Sequence, residues 1–211
     1  MTIDKLHYIS QPAQDGSHLT SIQKALDAGC KWIQLRVKNE SPNDILQYAI
    51  AAKGLCQIYQ AKLIINDYPE IAVASGADGL HLGIDDMPIA AARQIVGKDM
   101  IIGGTANTFE KLRQNVAEGA DYIGLGPFRF TKTKEKLSPI LGIEGYQHVR
   151  RKMLEEGLTI PVIAIGGILP EDIVAIMETG VHGIAISGAI SYAGDPKQIV
   201  TSLNAKINSQ C

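Results

Sequence analysis

Thr131, Lys132, Thr133 and Lys134 place two hydroxyls and two ammonium groups in four consecutive residues. They follow a Gly126-Pro127 turn and the apolar run Tyr122-Ile123-Gly124-Leu125, which reads as a strand. Hydroxyls, lysines and backbone N–H groups at the C-terminal end of a strand suit a phosphorylated ligand. A surface loop can also be basic without a ligand. The weight of this one rests on what gathers beside it.

Gln34-Leu35-Arg36-Val37-Lys38 ends another apolar run, and strand alternation sets Gln34, Arg36 and Lys38 on one face. A buried cation is costly unless an anion meets it. Arg36 and Lys38 therefore fit anion ligands, with Gln34 deeper and able to hydrogen-bond a polar ring. A strand-end salt bridge to a neighbouring helix is the plainer alternative. Asn66-Asp67 and Gly83-Ile84-Asp85-Asp86 close two further runs. Carboxylates from neighbouring loops beside a phosphate are what Mg²⁺ commonly takes, completed by phosphate oxygens and water. Each also has a structural reading: Asp85-Asp86-Met87-Pro88 reads as a helix N-cap, and Asp67 could cap a helix beginning near Pro69.

Small and hydroxyl-bearing residues end three more runs: Gly103-Gly104-Thr105, Gly166-Gly167 and Ser187-Gly188. Such residues let a ligand approach the backbone, and after the last two strands of a barrel they form a phosphate site of N–H groups. The histidines add little. His81 lies mid-strand and reads as a core histidine, and His148 sits on a charged helix face. No Ser-His-Asp, Cys-His or paired-glutamate arrangement emerges, and no general base stands out.

Eight short, almost wholly apolar runs position these groups: 6–10, 32–36, 63–67, 79–83, 100–105, 122–126, 162–166 and 183–187. Amphipathic stretches at 19–28, 42–59, 109–118, 142–156, 170–179 and 196–208 lie between them. Pro42, Pro88, Pro170 and Pro196 fall near helix starts, and Ser41, Thr108 and Asp195 are placed as N-caps. Runs without alternation expect burial on both faces, as in a parallel sheet. A weak repeat recurs at Gly29, Gly76, Gly119 and Gly180: a helix-ending glycine, a two-residue turn, then an apolar strand. Eight βα units in 211 residues predict an α/β fold, one (β/α)8 TIM-barrel domain over 1–211, against an open doubly wound sheet as the rival.

Hydrophobic residues make up 45% and charged residues 20%, with a net charge of -2, so the basic excess of a nucleic-acid binder is lacking. Cys30, Cys56 and Cys211 are odd in number, and no CxxC pair indicates a disulfide framework or a zinc site. No signal-peptide run occupies residues 1–10, and the most apolar window, 160–169, is too short to span a bilayer. The expected compartment is the cytoplasm. The expected partners are small phosphorylated molecules, with neither nucleic acid nor membrane, and a homo-oligomer stays open.

Together these motifs resemble the thiamine-phosphate synthase family over nearly the whole chain. They are QLRxK at 34–38, IIND at 64–67, DGLHLGxxD at 78–86, GADYIGLGP at 119–127, TxTK at 131–134, IGGI at 165–168 and the Ser187 region. The resemblance implies an Mg²⁺-assisted transferase that joins a pyrimidine methyl diphosphate to a thiazole phosphate and releases pyrophosphate. It puts Gln34, Arg36, Lys38, Asn66, Thr105 and Lys134 on the pyrimidine diphosphate, with Arg36, Lys38 and Lys134 as catalytic stabilisers of the leaving group. It puts Mg²⁺ on Asp67 and Asp86, and the thiazole phosphate on Thr131, Thr133, Gly167, Ile186 and Ser187. The missing base then has a reason: a ring nitrogen attacks with its lone pair, so no proton is removed.

Three positions depart from the family pattern. Thr105 stands where Ser is common, Ile84 where Gln is usual, and Arg129 where Phe is usual. The competing readings are a thiazole tautomerase, a phosphosugar isomerase or lyase, and a non-catalytic thiazole-phosphate-binding barrel.

Overall fold

Strands that are apolar on both faces have no side to offer water, and closing the sheet on itself satisfies them all. The computed structural model describes residues 2–130 and 139–209. In it β1 (Leu6–Ile9), β2 (Trp32–Leu35), β3 (Lys62–Asn66), β4 (Gly79–Leu82), β5 (Ile101–Ala106), β6 (Tyr122–Leu125), β7 (Val162–Ile165) and β8 (Gly183–Ile186) close in chain order into a barrel. Every neighbouring pair is parallel, including β8 against β1. The open-sheet rival is excluded. Each strand end falls within one residue of its expected place.

The described helices are α1 (His18–Asp27), α2 (Pro42–Ile58), α3 (Pro69–Ala74), α4 (Ile89–Val96), α5 (Phe109–Ala117), α6 (Gly142–Glu155), α7 (Ile173–Glu178), α8 (Gly188–Ser191) and α9 (Pro196–Asn208). Ser41, Thr108 and Asp195 accept from Asp44, Lys111 and Gln198 N–H at 3.2, 3.2 and 3.0 Å, each cap being worth about 1 kcal/mol. α7 starts after the expected Pro170, because 170–172 form a turn in which Asp172 Oδ2 accepts from Leu169 N at 2.8 Å. Among the described residues no helix is long and apolar enough to cross a membrane.

Two apolar clusters result. Ile33, Leu35, Leu63, Ile65, Leu80 and Leu82 pack outward under the helices, and Trp32, Ile64, Ile101, Tyr122, Ile163 and Ala185 fill the barrel. The repeat explains how each turn is pinned at the closed end. Gly29, Gly76, Gly119 and Gly180 hold φ between 65° and 103°, which lets helices α1, α3, α5 and α7 end sharply. Two turns continue as Ala-Asp, and those aspartates fasten neighbouring strands. Asp78 Oδ2 accepts from Leu63 N and Lys53 Nζ, both at 2.8 Å. Asp121 Oδ2 accepts from Ile102 N at 2.8 Å and Arg93 Nη2 at 2.9 Å. That end holds the barrel together and leaves the C-terminal mouth for chemistry.

Candidate active site

Parallel strands in a closed barrel bring all their C-terminal ends to one mouth. Gln34 and Asn66, on adjacent strands β2 and β3, are both buried, and Gln34 Nε2 donates to Asn66 Oδ1 at 2.8 Å. Buried amides are orienting groups because each must find partners. Each also keeps donor and acceptor capacity for a ligand.

Asp67 follows β3 directly and has φ 72°, a left-handed conformation unusual outside glycine. Backbone strain of this kind gathers at functional sites. Asp67 forms an ion pair with Lys38 Nζ. Its carboxyl is raised to about 6 by burial, then by the neighbouring Asp86 carboxylate, while Lys38 pulls the other way. The cap expectations for these two aspartates are overturned. The N-cap of α3 is Tyr68, with no side-chain bond. Asp86 Oδ2 accepts from Gly83 N at 2.6 Å, and the first N–H of α4, at Ile89, is served by Glu118 Oε2 at 2.9 Å. The two neighbouring carboxylates, one of them ion-paired with Lys38, offer hard oxygen donors, a set that fits Mg²⁺. Among the described residues no cluster of three or more His, Cys, Asp or Glu is placed to hold a metal. Substrate oxygens and water usually complete the coordination of Mg²⁺.

Arg36 is half-buried just beyond β2, and its N–H donates to Ser10 Oγ at 3.1 Å. Ser10 Oγ also bonds His18 Nδ1 at 2.9 Å. Burial, then the charge of Arg36, lowers the His18 pKa, so the imidazole beside the guanidinium stays neutral. Thr105, near the end of β5, is buried and bonded to His81.

Across the mouth, Gly166 and Gly167 follow β7 with φ 96° and 69°. Arg129 braces this turn. Its N–H donates to Gly166 O at 2.9 Å, and its Nη1 donates to Gly167 O at 2.9 Å. The guanidinium also makes a two-pronged pair with Asp172 at 3.0 and 2.9 Å. A phenylalanine could supply none of these side-chain bonds. Ser187 Oγ donates to Ile9 O at 2.6 Å, tying β8 to β1, so its hydroxyl proton is committed inward. The Ile186 side chain packs in the outer cluster, so only its backbone can meet a ligand. Thr131, Thr133 and Lys134 lie outside the described residues.

Residues 6–190 match the family model described as thiamine monophosphate synthase. The chain belongs to the thiamine monophosphate synthase family. The thiamine-phosphate synthase of Bacteroides fragilis is 54% identical over 191 residues, 90% of this chain and 94% of that one. That of Flavobacterium psychrophilum is 50% identical over 204 residues, 97% of this chain and 99% of that one. Among solved structures, a thiamine phosphate pyrophosphorylase from Pyrococcus furiosus superposes with a TM-score of 0.85 at 30% identity, covering 98% of this chain and 96% of that one.

For a member of the thiamine monophosphate synthase family, two groups at this mouth escaped the sequence. Ser10 and His18 carry no motif of their own, yet they flank Arg36. The expectation of a core histidine suits the burial of His81, but its bond to Thr105 connects the barrel interior to the mouth. The available signal was register: His81 pairs with Gly103, and Thr105 on the same strand pairs with Gly124.

Proposed function

We propose that this protein is a thiamine-phosphate synthase, joining a pyrimidine methyl diphosphate to a thiazole phosphate with release of pyrophosphate. The observation that carries this is the Asp67–Asp86 carboxylate pair beside Lys38, at the same mouth as Arg36 and the Gln34–Asn66 amides. Membership of the thiamine monophosphate synthase family supports the reading.

In this reading Gln34, Asn66 and Thr105 orient the aminopyrimidine. Arg36, Lys38 and Lys134 hold the diphosphate and stabilise the charge that builds as it leaves. Asp67 and Asp86 would hold Mg²⁺, which would help to neutralise the charge of the leaving group. On the other side, Thr131, Thr133, Gly167, Ser187 and the Ile186 backbone hold the thiazole phosphate so that its ring nitrogen faces the pyrimidine methylene. That nitrogen attacks with its lone pair and becomes quaternary, so catalysis is positioning and electrostatics, with no proton transferred.

The test is incubation with both phosphorylated halves and Mg²⁺, measuring pyrophosphate and thiamine phosphate. Release that needs both halves supports the proposal. Saturable binding of the thiazole phosphate without turnover would indicate a binding barrel, and isomerisation of that half alone a tautomerase.

A further inference from the structure

Two of the strand glycines that face the barrel interior, Gly103 and Gly124, leave room that rings fill, one from the adjacent strand β6 and one from β4, two strands away. A Cβ on Gly103 would overlap the Tyr122 ring. A Cβ on Gly124 would stand 3.0 Å from His81 Cε1. The Tyr122 and His81 rings, stacked with centroids 5.5 Å apart, lie in the space these glycines leave. His81 Nδ1 bonds Tyr122 Oη at 3.0 Å, and His81 Nε2 bonds Thr105 Oγ1 at 3.0 Å. Tyr122, His81 and Thr105 are 1%, 5% and 5% exposed, so water does not compete for these bonds.

A neutral imidazole has one donor and one acceptor nitrogen, so the two hydroxyls it bridges cannot orient independently. If Tyr122 donates to Nδ1, then Nε2–H donates to Thr105, and the Thr105 proton is released to point elsewhere. In the reverse order the Thr105 proton is spent on His81. Burial holds the Tyr122 hydroxyl protonated by raising its pKa. A phenol is also a better donor than acceptor, because its lone pair is drawn into the ring. The first order therefore prevails.

We propose that His81 is a positioning residue for the pyrimidine subsite, relaying the orientation of the Tyr122 hydroxyl so that Thr105 presents a hydrogen-bond donor at the mouth. This rests on the reading above in which Thr105 meets the aminopyrimidine diphosphate. The ring nitrogens and phosphate oxygens of that substrate are acceptors, so a fixed donor matches them. An acceptor in its place would repel them.

The chain of three makes distinct predictions for its members. Tyr122→Phe keeps the ring in its glycine slot and removes one oxygen. It is expected to raise the KM for the pyrimidine diphosphate about tenfold, the effect of one misdirected buried hydrogen bond, with the KM for the thiazole phosphate nearly unchanged. Because Tyr122 acts only through Thr105, the Thr105→Ala/Tyr122→Phe double variant is expected to be no worse than Thr105→Ala alone. His81→Gln can set an amide nitrogen where Nε2 stood and is expected to retain most of the affinity. His81→Asn, which reaches only toward Tyr122, is not. Nitrogen-15 NMR of the folded wild type is expected to show His81 as the Nε2–H tautomer.

Additive losses in the double variant, equal effects of His81→Gln and His81→Asn, or an Nδ1–H tautomer would each overturn the relay while leaving the site assignment intact. A Thr105→Ala enzyme with unchanged KM for the pyrimidine diphosphate would overturn both.

Discussion

Burial and the adjoining Asp86 carboxylate together raise Asp67 to about 6, against the pull of the Lys38 ammonium. Two acidic groups so placed work against the folded state when both are ionised, and a bound cation relieves that. As the proposed metal site, this pair would favour binding at the expense of stability.

Replacing Asp67 by Asn separates the two roles. Asn tolerates the left-handed backbone and removes the charge conflict with Asp86. Coupling activity is expected to fall at least about a hundredfold, while the melting temperature rises by about 2–4 °C. Calorimetry and a pyrophosphate-release assay read the two effects. A fall in both would mean that Asp67 is mainly structural.

With Asp67 as a ligand in the proposed site, the pH dependence of Mg²⁺ binding would follow from the same carboxyl. A carboxylate must lose its proton to bind a metal, and the Asp67 proton leaves only above about pH 6. Titration calorimetry at pH 7.5 and 5.5, in the presence of pyrophosphate, is expected to show weaker Mg²⁺ affinity and proton release at the lower pH. Equal affinity at both would remove Asp67 from the metal site.

Arg36→Lys keeps the charge and loses the planar fork. A drop of about tenfold in kcat/KM is expected, consistent with losing one charge-assisted contact. Wild-type kinetics would mean that Arg36 acts as a point charge or not at all.

Arg129→Gln breaks the brace between the segment after β6 and the Gly166-Gly167 turn. The KM for the thiazole phosphate is expected to rise about fivefold, with the pyrimidine side little affected, since the bonds lost are to Gly167 and Asp172. An equal change in both constants would indicate general loosening of the mouth.

His7 reports on acid stability. Buried against Trp32 with ring centroids 4.4 Å apart, it has its pKa lowered by desolvation from 6.5 to about 3. The unfolded chain takes up this proton below pH 6.5 and the folded chain does not until about pH 3. Its contribution is therefore complete above 6.5 and is lost as pH falls through that window. Between pH 6 and 4, denaturant titrations of His7→Phe are expected to show a slope shallower than wild type by about 1.4 kcal/mol per pH unit. Parallel slopes would mean that His7 titrates normally.

Much of this architecture was legible in one dimension because its causes are local. An unbroken apolar strand needs both faces covered, a left-handed glycine ends a helix, and a Ser, Thr or Asp caps the next. Repeated along the chain, these features specify the barrel, and they place Gln34, Asn66, Asp67, Asp86, Thr105 and Ser187 at strand ends. The remainder depends on which strands become neighbours. The caps suggested for Asp67 and Asp86 were local readings as well, and they failed because the two carboxylates meet across strands and turn to each other, Lys38 and Gly83 instead. Likewise Gly103 read as room for a ligand at the backbone and Gly124 as one more residue of an apolar strand, until closure fills their places with Tyr122 and His81. Spacing along a chain sets which way a side chain faces. What it meets there is decided by barrel closure, because the partner is supplied by a different strand.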